Sequence, residues 1–129
     1  SVVIESVGRE LRALAGEQEL PRRPVPALAY RQSTATAGRR ATWPLTVEGL
    51  PEELLLDCTR TPRGWRLAVR TTGLTSARIE GDAVDLALQP LGRQMITPPA
   101  LTVPPGEYRL ILNDRYSIEI TLAAEGEGA

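Results

Sequence analysis

The stretch from Pro104 to Leu122 constrains the fold more than any other part of the sequence. Tyr108, Leu110 and Leu112 alternate with polar residues apart from Ile111, and Tyr116, Ile118, Ile120 and Leu122 alternate with Ser117, Glu119 and Thr121. A period of two on both arms marks half-buried strands joined as a β-hairpin. The two faces set the register. A two-residue turn at Asn113-Asp114 puts Leu112 opposite Arg115 and mixes the faces. A three-residue loop, Asn113 to Arg115, instead pairs Leu112 with Tyr116, Leu110 with Ile118 and Tyr108 with Ile120. Such loops carry a left-handed residue near their end. Pro104 and Pro105 cannot donate to a ladder, so the strand begins after them.

The same alternation runs back to residue 41. It predicts seven strands, at about 41–48, 54–60, 64–71, 76–80, 84–89, 106–112 and 115–122. Pro44 marks the first as an edge strand or a bulge. The turn Thr61-Pro62-Arg63-Gly64 joins a hairpin in which Arg60 faces Trp65, Cys58 faces Leu67 and Leu56 faces Val69. On its outer face Asp57 comes within reach of Arg66 and Arg70. Residues 89 to 103 are broken by Gly92 and Pro98-Pro99 and read as irregular. Short strands between Gly/Pro turns imply an all-β fold: an antiparallel β-sandwich of about seven strands, or a small barrel. Trp43, Trp65, Tyr108 and Tyr116 are the expected core aromatics, in a chain without Phe.

The first forty residues read differently. Ile4, Val7, Leu11 and Leu14 are spaced three, four and three, the seam of a short amphipathic helix over residues 1–20. Gly8 and Gly16 weaken that helix by about 1 kcal/mol each. Two heptads do not hold alone in water, so the seam has to dock on the sandwich, a second copy or a partner. Residues 21–40 form a linker with Pro21, Pro24 and Pro26. It carries Arg22, Arg23, Arg31, Arg39 and Arg40 and no acid, and Ala27 to Tyr30 could form a short edge strand or docking patch. Residues 41–122 are the sandwich domain, and residues 123–129 an acidic, disordered tail.

Pro104-Pro-Gly-Glu-Tyr-Arg-Leu110 resembles the start of the penultimate strand in immunoglobulin-like and prealbumin-like bacterial β-sandwiches. The resemblance implies a Tyr108 hydroxyl that bonds back across a corner, with Leu110 where antibody domains carry their second Cys. It covers about seven residues and carries over no functional residue. Cys58 has no partner Cys, and the 54–71 hairpin joins two strands that a true immunoglobulin fold puts in different sheets.

Composition removes much chemistry. The chain has no His, one Cys and no Lys; all fifteen of its cations are Arg. Nucleophile–imidazole pairs, Lys Schiff bases, phosphate loops of the Gly-Lys-Ser/Thr type and ordinary zinc sites are therefore excluded. Carboxylates remain, at Glu52/Glu53, Asp57 and Asp82/Asp85. The last pair supplies too few oxygens for calcium. Cys58, on an apolar face, reads as a buried, inert thiol. Arg60, Arg63, Arg66 and Arg70 surround Trp65, but alternation turns that ring inward, away from any stacked base. The net charge is −1, which gives no global field toward nucleic acid or anionic lipid.

The expected function is a non-enzymatic protein-interaction or assembly module without a cofactor, such as a regulatory domain of a larger bacterial protein. Its partner is another protein or a second copy, docked on Ile4, Val7, Leu11 and Leu14. The alternative is an anion or nucleic-acid binder using Arg22, Arg23, Arg63, Arg66 and Arg70. No apolar run is long enough to span a membrane, and no secretory leader or disulfide is visible, so a cytoplasmic location is expected.

Overall fold

A computed structural model describes residues 1–23 and 39–124. Among them every regular element is a strand, and no helix occurs. The strands form two sheets. The seven-stranded sheet runs in the order β3 (Gln18–Glu19), β2 (Glu10–Ala15), β1 (Val2–Val7), β12 (Tyr116–Leu122), β11 (Gly106–Leu112), β7 (Ala77–Glu80) and β8 (Asp85–Ala87). The five-stranded sheet runs β4 (Arg39–Leu45), β5 (Leu54–Thr61), β6 (Gly64–Arg70), β10 (Gln94–Ile96) and β9 (Gln89–Leu91).

The seven strands expected from residue 41 onward are all present, and both hairpins take the register that their patterns imply. Leu112 faces Tyr116, Leu110 faces Ile118 and Tyr108 faces Ile120. Arg60 faces Trp65, Cys58 faces Leu67 and Leu56 faces Val69. The terminal loop differs in one detail. Its left-handed residues are its first two, Asn113 and Asp114, rather than one near its end. Asn113 is then free to latch a neighbouring turn: its Oδ1 accepts from the amides of Thr75 and Ser76, and its Nδ2 donates to the Gly73 carbonyl. Pro44 lies in β4, which is an edge strand as the proline implies. The backbone N–H of Arg23 covers part of that edge by donating to Thr42.

The amphipathic helix over residues 1–20 does not exist. Those residues form the hairpin β1–β2 and the short β3. Gly8 and Gly16, treated as costs to a helix, sit at φ of 61° and 63° and are the turn residues between strands. The seam dissolves with the helix. In β1 the side chains of Val2, Ile4 and Ser6 point inward, and in β2 those of Leu11 and Ala13 do so. Val7 and Leu14 lie on the opposite, outer face beside a Glu5–Arg12 ion pair. Ile4 and Leu11, seven residues apart, share a helical seam, but the turn at Gly8 brings them to one face of a hairpin as well, and Val2 and Val3 add β-branched bias toward a strand.

β1 joins the sheet by pairing in parallel with β12, Val2 beside Ile120 and Ile4 beside Leu122. Residues 89 to 103, read as irregular, supply β9 and β10 on the free edge of β6, and Val103 pairs with Trp65 through two hydrogen bonds of 2.8 Å. Pro24, Pro26, the Ala27–Tyr30 patch, Arg31, the rest of the linker to residue 38, and the tail from residue 125 lie outside the described residues.

One apolar core serves both sheets. It takes Ile4, Leu11, Ile79, Leu110, Leu112, Ile120 and Leu122 from the first and Trp43, Leu54, Leu56, Cys58, Trp65 and Val69 from the second. Both indoles are fully buried. No helix is long and apolar enough to cross a membrane among the described residues.

Candidate functional site

The groups able to do chemistry are for the most part engaged in holding the fold. Asp57 lies on the outer face of β5 as its alternation dictates, but its partners are Arg40 and Thr42 across the β4 ladder, at 2.9 and 2.8 Å. They are not Arg66 and Arg70, which the sequence puts within reach. Arg66 turns the other way. Its guanidinium donates to the carbonyls of Thr97, Pro98, Pro99 and Leu101 at 2.7–3.2 Å, fastening the 97–101 turn onto β6. A planar fork with five donors can satisfy several carbonyls at once, which an ammonium cannot do in one plane.

The other candidate anion-binding residues do not converge. Arg22 pairs with Glu10 at 3.5 Å and Arg23 with Glu53 at 3.7 Å. Arg63 is exposed in the β5–β6 turn and Arg70 is exposed at the far end of β6, so they lie about 20 Å apart at strand rise. Arg70 shares a shallow depression with Glu52, Glu53 and Arg93, in which the charges balance. Trp65 is buried, with the Arg60 guanidinium 5.4 Å from its ring centre.

Cys58 is fully buried, and burial pushes its thiol up, with the Asp57 carboxylate adding to the effect. The thiolate needed for nucleophilic or metal chemistry is therefore disfavoured. The Tyr108 hydroxyl donates to the Pro104 carbonyl at 2.5 Å, the corner bond that the Pro104–Leu110 pattern implies. Its ring lies against Gly81, where a Cβ would sit 2.6 Å from a ring carbon. Burial also raises the Tyr108 hydroxyl above its ordinary value.

A further cluster of ionisable groups lies on the outer face of the seven-stranded sheet. Glu119, Arg109 and Glu80 are direct cross-strand neighbours on β12, β11 and β7, and Asp85 follows on β8. With Asp82 and Glu107 they line an open groove of about 540 Å³, whose floor includes Tyr108 and Thr121. Five carboxylates thus share the groove with Arg109; Arg78 pairs with Glu80 and, at 3.6 Å, with Asp85. Among the described residues no three carboxylate, thiol or imidazole groups are placed to hold a metal ion.

The sequence marks Asp82 and Asp85 as a pair but gives no sign of Glu80, Glu107 and Glu119 as their neighbours. Glu80 precedes that pair by two residues on β7, whereas Glu107 and Glu119 come from the β11–β12 hairpin and meet it through sheet order. The one available signal is that each occupies an outward position of an alternating strand. Compared with protein-family models, curated proteins and solved structures, the chain matches none.

Proposed function

We propose that this chain is a non-enzymatic, immunoglobulin-like β-sandwich module that binds another protein. One observation carries the reading. Asp57, Arg66, Trp65, Tyr108 and Cys58 are all occupied in holding the fold, while the groove on the seven-stranded sheet gathers five carboxylates around Arg109, with Arg78 paired to Glu80 and Asp85 at its side. Two sheets around a shared core and the Tyr108 corner bond support the sandwich. The adjacency of β5 and β6 within one sheet departs from the immunoglobulin arrangement. The groove suits a partner surface rich in Arg or Lys, because its five carboxylates outnumber the Arg109 and Arg78 guanidiniums, and a net negative patch attracts and orients cations at low screening.

A photo-crosslinking residue at Glu107, in the groove, is compared with one at Thr59, on the outer face of the other sheet, in cells that make the protein. The expected result is one protein crosslinked from position 107 and not from position 59, and lost in a Glu80→Arg/Glu119→Arg variant. Crosslinks from neither position, or from position 59 alone, overturn the reading. Tight, steeply salt-dependent binding of a single-stranded oligonucleotide by the purified chain replaces it with the anion-binding one.

A further inference from the structure

We draw no further inference here: the strongest candidate, the outer edge of the three-residue strand β8 with half-buried Leu86 in it and Val84 just before it, is an unpartnered sheet edge, and nothing in the structure shows what covers it.

Discussion

The indole nitrogen of Trp65 donates to the carbonyl of Ala123 at 3.1 Å, tying the middle of the five-stranded sheet to the end of the last strand of the other. The amide of the same Ala123 donates to Ile4 at 2.9 Å. One residue thus links β6, β12 and β1. The other buried indole, Trp43, has no hydrogen-bond partner for its nitrogen among the described residues.

The two tryptophans therefore respond differently to the same change. Trp65→Phe loses a buried hydrogen bond and leaves the Ala123 carbonyl unmet, whereas Trp43→Phe removes a donor that has no bond to lose. Both vacate similar volume. Urea melts should show Trp65→Phe as the less stable variant by about 1 kcal/mol or more. Equal losses would mean that the Ala123 bond contributes nothing.

Strand and helix make opposite forecasts at the N-terminus. Ile4→Ala and Leu11→Ala should each cost about 2–5 kcal/mol, since both side chains are buried in the core. Val7→Asp and Leu14→Asp, on the outer face, should leave the fold intact by circular dichroism and melting. Deletion of residues 1–20 should unfold or strongly destabilise the remainder, because it strips Val2, Ile4, Leu11 and Ala13 from the shared core.

Arg66 should be needed for stability rather than for anions. Arg66→Lys keeps the charge but cannot reach four carbonyls. It should cost about 1–3 kcal/mol and speed hydrogen exchange at the Val103 amide, which pairs with Trp65. A variant of unchanged stability would remove the clamp.

Gly81 and Tyr108 should couple. Gly81→Ala drives a methyl into the tyrosine ring and toward the Glu107 carbonyl, 3.0 Å away, and should destabilise by about 1–3 kcal/mol. Tyr108→Ala, costly alone, should make the Gly81 change cheaper, so that the double variant is more stable than the sum of the two losses predicts.

Cys58 sets an alkaline limit. Its folded thiol holds its proton more tightly than the unfolded one. The resulting stability is fully present below about pH 8.5, and above that it falls as pH rises toward the folded value, by at most about 1.4 kcal/mol per pH unit. Cys58→Val should flatten that part of the stability–pH curve. A thiol reagent should label the native protein only as fast as the protein opens.

Over residues 41–88 and 106–122 the fold was legible because the longer strands bury one face, and alternation then fixes strand, register and the inward turn of Trp65. The N-terminus was misread because Ile4 and Leu11 share a face either as a helical seam or as two strands folded back at Gly8, and the partner strand β12, more than a hundred residues away, favours the second. β9 and β10 were hidden because at three residues each they carry less than two full periods of pattern. The acidic groove could not be read because its two halves, residues 80–85 and residues 107–119, meet only where β7 pairs with β11.

The parallel seam of β1 on β12 has a consequence for biogenesis. A translating ribosome releases β1 more than a hundred residues before its parallel neighbour β12, so the early hairpin emerges with its oily side unshielded. Such long-range closure is slow. The seven-stranded sheet is therefore closed only when β12 is delivered, and a nascent chain stalled before Tyr116 should be the form that chaperones and proteases recognise.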